Sequence, residues 1–328
     1  MKLLILVHHR FELWTTPAWF VERLRQEFPG VEIIHRDTYE AAEEHLRDSD
    51  IVFTISLRPE QFAAAKKLLW VHAPSAAVHQ LLFPEFVNSD VILTHSSEVH
   101  GSVVAEHVIA LMFALARKIP QATLLQQKHH WGQEAIWTDG PRPRELAGAR
   151  LGLIGFGSIG IKVAQIAAAV RMLITVQREH PGKENPAGVD SVVGPEGLGD
   201  LLAESDFVVM AAPLTPATRG LINAARLAVM KPDAYLINVG RGPQIDEAAL
   251  IHALRQRQIA GAALDVFEEE PLPANSPLWD LDNLLITPHT AGLTEKAWQR
   301  HYDLFSENLR RYLAHKPLLD QVDKKQGY

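Results

Sequence analysis

The chain has 328 residues, of which 47% are hydrophobic, and a formal net charge of −7 with acidic and basic residues interspersed. That length favours two domains over one, and the charge balance argues against a nucleic-acid surface. No cysteine is present, which excludes disulfides, thiolate metal sites and cysteine nucleophiles and is compatible with a reducing, cytoplasmic setting.

The opening MKLLILVHHR carries an apolar run too short for a signal-peptide core. It ends in His8, His9 and Arg10 without a small-residue cleavage site, and so reads as a first strand at 3–7. Further strands are predicted at 31–34, 51–54, 69–71 and 91–93, and helices at 17–28, 39–47 and 59–66, with Pro near two of the helix starts. Strands separated by helices imply a parallel sheet with both faces covered, a small doubly wound domain. A long helix follows at 99–119. Its apolar part, 103–119, contains Glu106, His107 and Arg117 and is too short and too charged to span a bilayer comfortably. A buried helix and no membrane partner are expected. The segment 131–144 is aromatic, polar and Pro-rich, either an arm or an ordinary surface loop. The pairs His8-His9 and His129-His130 read as surface or loop residues, since sequence neighbours do not face one metal on a helix. No metal site is expected.

A second α/β pattern begins near Arg150, with strands predicted at 151–154, 173–176, 207–210, 234–238, 261–264 and 284–286. Six such runs match a dinucleotide-binding sheet. Its first strand runs into Gly155, Gly157 and Gly160, spaced G-x-G-x-x-G, and then into an Ala-rich helix at 161–170. In that context Gly155 allows a tight turn, Gly157 lets the backbone approach a pyrophosphate, and Gly160 lets the helix pack on the strand. The residues between them, Phe156, Ser158 and Ile159, share the turn. A further helix is predicted at 246–257 and a helical tail at 294–313, too short for a domain and expected to pack back on the first one.

Three charged residues fall just after strands of the second sheet. Arg241 lies in NVGRG, Glu270 in DVFEEEP and His289 in ITPHTAG. Ligands of open α/β sheets bind outside the carboxyl ends of strands, so all three are placed to reach one crevice. Their types suit carbonyl reduction. Imidazole can supply a proton near neutral pH, a carboxylate beside it favours the imidazolium, and a guanidinium can hold a substrate carboxylate. Separately each has a plainer reading: a surface charge for Arg241, a solvated member of an acidic run for Glu270, a strand-end cap for His289. Their joint placement on a sheet with the glycine fingerprint favours chemistry.

The set GFGSIG, PLTPATRGLI, LINVGRG, ALDVFEEEPLP and ITPHTAG resembles the D-isomer-specific 2-hydroxyacid dehydrogenases, and VAEHVIALMFALAR resembles that family's long helix. The resemblance implies a flavodoxin-like substrate domain at 1–98 plus 293–328, a Rossmann nucleotide domain at 99–292, and a cleft between them. It implies that Arg241 binds the 2-keto acid, His289 is the acid/base and Glu270 its partner. Asp265 would meet the nicotinamide end of the cofactor, and Pro213 and Thr218 would line the loop over it. Val239, Gly240, Ala291 and Gly292, which flank Arg241 and His289, would complete the cofactor contacts. HAPSAAVHQL is similar to the family's substrate-carboxylate loop, where Ser75, Ala76 and Ala77 would offer backbone amides, with Ala77 in place of the usual Gly. A homodimer through the nucleotide domain is also implied.

An Asp or Glu at the end of the second strand holds the ribose of NAD. Aligned on the family's spacing, Arg178 occupies that position, with Glu179 next and Lys183 nearby. Arg suits a 2′-phosphate, so NADP is favoured over NAD. The chain's end at Tyr328 leads to the expectation of no added regulatory domain. The expected substrate is therefore a small 2-keto acid such as glyoxylate, hydroxypyruvate or pyruvate, with Trp131, Trp137 and Trp298 either lining its pocket or packed in cores and interfaces. The expected function is an NAD(P)-dependent reductase giving a D-2-hydroxy acid. The alternative is a non-catalytic, nucleotide-binding regulatory protein on the same scaffold. Formate oxidation within such a family would need a Gln in the site as well as a His.

Overall fold

Short apolar runs alternating with helical segments build two sheets, and the chain divides into two units, Met1–His100 with Thr294–Tyr328, and Gly101–Leu293. The structure, a computed structural model, describes residues 1–40, 42–182 and 185–327. In the first unit the order is β1 (Lys2–Leu6), α1 (Ala18–Glu27), β2 (Glu32–Arg36), α2 (Ala42–Leu46), β3 (Ile51–Thr54), α3 (Pro59–Ala64), β4 (Trp70–Ala73), α4 (Pro84–Val87) and β5 (Ile92–His95). All five strands pair in parallel in the order β2-β1-β3-β4-β5, the doubly wound order of flavodoxin-like sheets. Alternate residues feed opposite cores. Leu3, Ile5 and Phe53 face one side with Phe20 and Leu24 of α1, and Leu4, Leu6 and Val52 face the other with Leu46 and Phe86. β3 and β4 are buried throughout because both faces are covered, which is why their apolar residues at 51–53 and 70–71 fall in sequence rather than alternating.

Helix α5 (Ser97–Ala116) is the one described helix long and apolar enough to cross a membrane by length and composition, and half of its residues are buried within the protein. It stops short of the expected end. Lys118 adopts a left-handed φ of 58°, Pro120 follows, and a separate helix α6 (Ile119–Gln127) starts there. The segment 131–144, expected as either an arm or a surface loop, contains a short helix, α7 (Gln133–Thr138).

The second unit continues with β6 (Arg150–Ile154), α8 (Ser158–Ala169), β7 (Leu173–Gln177), β8 (Ser191–Val193), α9 (Leu198–Glu204), β9 (Phe207–Met210), α10 (Ala224–Val229), β10 (Tyr235–Asn238), α11 (Glu247–Arg255), β11 (Gly261–Leu264) and β12 (Leu284–Ile286). The sheet has seven parallel strands rather than six, in the order β12-β11-β10-β9-β6-β7-β8. The additional strand β8 is three half-buried residues at the sheet edge, too short to show a period. The chain runs outward from β6 to β8, then crosses to β9 and runs the other way. The order therefore reverses between β6 and β9, and a crevice opens at their carboxyl ends. The last helix, α12 (Ala297–Leu313), belongs to the first unit and sets Tyr302, Phe305 and Leu309, spaced by three and four, into the core with Phe20 and Phe53.

Candidate active site

Past Ile154 the chain turns through GFGSIG into α8. Gly155 has φ +94°, and a Cβ there would lie 2.6 Å from the Ala212 nitrogen, so only glycine fits. A Cβ at Gly160 would strike the Gly155 carbonyl, and its absence lets α8 sit close on β6. Gly157 has open space within 4 Å and is the N-cap, so no side chain covers the helix start. Phe156 and Ile159 pack partly against the core beneath. A helix start leaves N–H groups without intrahelical partners at the positive end of the dipole, which suits a pyrophosphate. Beside it, after β7, Arg178 donates its backbone N–H to Val193 O at 3.1 Å, and its Nε is buried without a bond to any described residue. The open cradle and the orphaned donor fit a dinucleotide. Lys183 lies outside the described residues.

Arg241 follows β10. Asn238 and Gln244, both fully buried, hold its loop. Asn238 Oδ1 accepts from Gly240 N–H at 3.0 Å and its Nδ2 donates to Arg241 O at 3.1 Å. Gln244 Oε1 accepts from Arg241 N–H at 2.9 Å. The guanidinium donates to Gly240 O at 2.6 Å. Burial pulls its pKa below the usual range, and the Glu270 charge offsets that in part. A Cβ at Gly242 would collide with the Phe267 carbonyl, so the Arg241 loop lies directly on the segment leading to Glu270.

Asp265, at the end of β11, is 2% exposed and organises the His289 loop. Its Oδ1 accepts from Thr287 Oγ1 at 2.6 Å and Thr290 N–H at 2.8 Å, and its Oδ2 from Ala291 N–H at 3.0 Å. Its backbone oxygen accepts from His289 N–H at 2.9 Å. His107 of α5 adds a bond from Nε2 to Thr287 Oγ1 at 3.1 Å, and burial holds its pKa down. His289 is thereby fixed with φ +53°, and its Nδ1–H donates to Glu270 Oε2 at 2.6 Å. Glu270 Oε1 accepts from Phe267 N–H at 2.9 Å. The hydrogen bond to Glu270 raises the His289 pKa against burial, aided by the charges of Glu270 and Asp265. Burial alone would raise the Glu270 carboxyl, but the bonds from His289 and Phe267 and the nearby charges of His289 and Arg241 hold it low. Nε2 bonds no described residue, and the ring is 44% exposed. Arg241, Glu270 and His289 therefore lie within electrostatic reach of one another, as a guanidinium, a carboxylate and an imidazole.

The remaining expected residues are placed as follows. In loop 213–218, Thr218 Oγ1 donates to Pro213 O at 2.7 Å and accepts from Thr215 N–H at 2.8 Å. Val239 and Ala291 are buried beside the site loops. Ser75, Ala76 and Ala77 form the turn after β4 in the first unit. Their three carbonyls accept from Ser96 N–H, His95 Nδ1 and Ser75 Oγ, while the N–H groups of Ala76 and Ala77 donate to no described residue. Trp298 is partly buried against the first unit's core, edge-on to Phe20 at 5.5 Å, with its Nε1 donating to Leu13 O. Trp131 is 90% exposed. No group of three metal-ligating side chains occurs among the described residues. Asn238, Gln244 and His107 escaped sequence reasoning. The one signal for Gln244 is its spacing from Arg241, that of a helix cap and its third residue.

A family model for the NAD binding domain of D-isomer specific 2-hydroxyacid dehydrogenases matches residues 109–291. A glyoxylate reductase of Thermofilum pendens is 36% identical over 273 residues, covering 81% of this chain and 78% of that one. A D-isomer specific 2-hydroxyacid dehydrogenase from Xanthobacter autotrophicus, solved in complex with NADPH and MES, superposes with a TM-score of 0.85 at 33% identity, over 100% of this chain and 99% of that one. An NADPH-dependent glyoxylate/hydroxypyruvate reductase from Sinorhizobium meliloti, in complex with NADP and sulfate, gives a TM-score of 0.82 at 29% identity, over 100% and 99%. A match over more than half the chain, joined to full-length likeness in fold, shows that this chain belongs to the D-isomer specific 2-hydroxyacid dehydrogenase family of NAD(P)-dependent oxidoreductases.

Proposed function

We propose that the protein is a reductase of small 2-keto acids of the glyoxylate or hydroxypyruvate type, using NADPH and giving the D-2-hydroxy acid. The observation that carries the reading is the His289–Glu270 bond of 2.6 Å beside Arg241. The cofactor, held by the glycine turn, Arg178, loop 213–218 and the residues around Asp265, supplies the hydride when bound. Arg241 holds the substrate carboxylate and draws charge on the carbonyl oxygen. His289 gives the proton from Nε2 to the developing alkoxide, and Glu270 stabilises the imidazolium and keeps Nδ1–H pointed at itself. A purely nucleotide-binding regulator would have no chemical need of that pair. The ring partner of His289 is a carboxylate.

The orphaned Nε of Arg178 supports NADP over NAD. Exposed Phe113, Ile119, Leu124, Trp131 and Trp137 on and after α5 support a homodimer through the second unit, tested by light scattering during size exclusion. The absence of cysteine accords with a cytoplasmic setting. The main test is a panel of small 2-keto acids with NADPH and NADH, followed at the nicotinamide absorbance band. His289→Ala is expected to lower kcat by about 10²–10⁴-fold while NADPH still binds. Retention of most of the turnover would remove His289 from the proton transfer.

A further inference from the structure

We propose that Gln244 is a positioning residue that couples the loop over the cofactor to Arg241, so that cofactor binding presets the grip on the substrate carboxylate. The proposal rests on the reading of Arg241 as the carboxylate-binding residue and of loop 213–218 as a cofactor contact. Gln244 is fully buried and uses its whole amide. Nε2 donates to Ala212 O and to Pro213 O, each at 3.1 Å, and Oε1 accepts from Arg241 N–H. The amide has one orientation, since turning it over would set Oε1 against two carbonyls.

The stitching continues at the far end of the same loop. Gly220 N–H donates to Pro243 O at 2.9 Å, Ile222 N–H to Gln244 O at 3.0 Å, and Ile222 bridges Ile245. The loop after β9 is thus tied at its start and its finish to Pro243, Gln244 and Ile245, just beyond Arg241. Its middle is closed on itself by Thr218, whose hydroxyl shares the Pro213 carbonyl with Gln244. Gly240 lies where these parts meet. A Cβ there would collide with Gln244 Oε1 and lie 3.1 Å from Ala212 O. A shift of the loop on meeting a cofactor is therefore passed through one rigid amide to the Arg241 backbone, and from there to the guanidinium. The general requirement is two sites joined by groups that move together.

The test uses the full chain, NADPH, and oxamate, an unreactive isostere of pyruvate. Titration calorimetry gives the oxamate Kd with and without saturating NADPH for the native protein, Gln244→Leu and Gln244→Glu. The native protein is expected to bind oxamate about 10-fold or more tightly with NADPH present. In Gln244→Leu that ratio falls to about 1–2. Gln244→Glu keeps the shape and an acceptor for Arg241 N–H but loses both donors. It is expected to lose the coupling at pH 8 and regain part of it at pH 5.5, where a protonated carboxyl donates one bond. A merely structural filler would show no such pH recovery. The proposal is overturned if the native protein binds the two ligands with no mutual effect, or if either variant keeps the native ratio at pH 8. It is also overturned if Gln244→Glu, with native near-ultraviolet dichroism, loses the coupling at both pH values. Coupling without any 2-keto-acid-dependent oxidation of NADPH would instead sink the functional reading and leave this one standing.

Discussion

Glu270 and His289 form a pair in which each shifts the other, and the direction of those shifts sets the pH behaviour. The His289 pKa is raised first by its bond to Glu270, so the imidazolium that donates the proton survives to a higher pH than a free histidine would. Reduction should fall as pH rises through that raised value, and oxidation of the D-hydroxy acid should rise over the same range. In Glu270→Gln the main cause of the shift is gone, so the alkaline limb of kcat/KM for reduction should move to lower pH. An unmoved limb would mean that another group titrates there. Arg178→Asp should raise the KM for NADPH far more than that for NADH, as measured by initial rates, because a carboxylate replaces the orphaned donor. Equal effects would end the assignment. Arg241, Glu270 and His289 could be read from sequence because a charged residue after an apolar run stands out and the strand ends share one edge of the sheet. Asn238, Gln244 and His107 could not. Their work is to bond backbone and hydroxyl groups that sequence does not locate.

Between elements, glycine marks the places where one backbone leans on another. At Gly160 a methyl would strike the Gly155 carbonyl, and at Gly242 it would strike that of Phe267. Neither obstacle is the far end of a flexible side chain. Gly242→Ala should therefore lower stability by about 1–3 kcal/mol and lower kcat/KM further by moving Arg241, read by denaturant unfolding beside initial rates. Gly157→Ala faces open space, so the folded protein should tolerate it, and its effect should fall on cofactor Kd. The central strands were legible because burial on two faces leaves unbroken apolar runs, whereas β8 was hidden as three half-buried edge residues. The end of α5 was hidden too, because a lysine, Lys118, takes the left-handed position that sequence reading assigns to Gly or Asn.

Across the molecule, the first unit carries a buried polar chain unrelated to the site chemistry. Trp70 Nε1–H donates to Thr94 Oγ1, His72 Nδ1 meets that hydroxyl at 2.8 Å, and Ser96 Oγ lies 3.2 Å from His72 Nε2 and 3.0 Å from His301 Nδ1. His100 stands 5.4 Å from the His301 ring, and Trp298 packs on it. Burial lowers the His301 pKa to about 3, with the His100 charge adding to it, and holds His72 well below the imidazole range. Unfolded, both would take up protons near a pKa of about 6.5, so below that pH the unfolded chain binds more protons and stability must fall as acid is added. Denaturant midpoints measured from pH 7.5 down to pH 5 should decline, and His301→Asn should flatten the decline; a midpoint independent of pH would refute the account. Finally, β1 to β5 are complete by His95, yet Tyr302, Phe305 and Leu309 that wall one face of their sheet come from α12, beyond the whole second unit. On the ribosome, the body made first has α1 on that face but must wait for the rest of its cover until nearly two hundred later residues have emerged, so its core closes only after the second unit has been made.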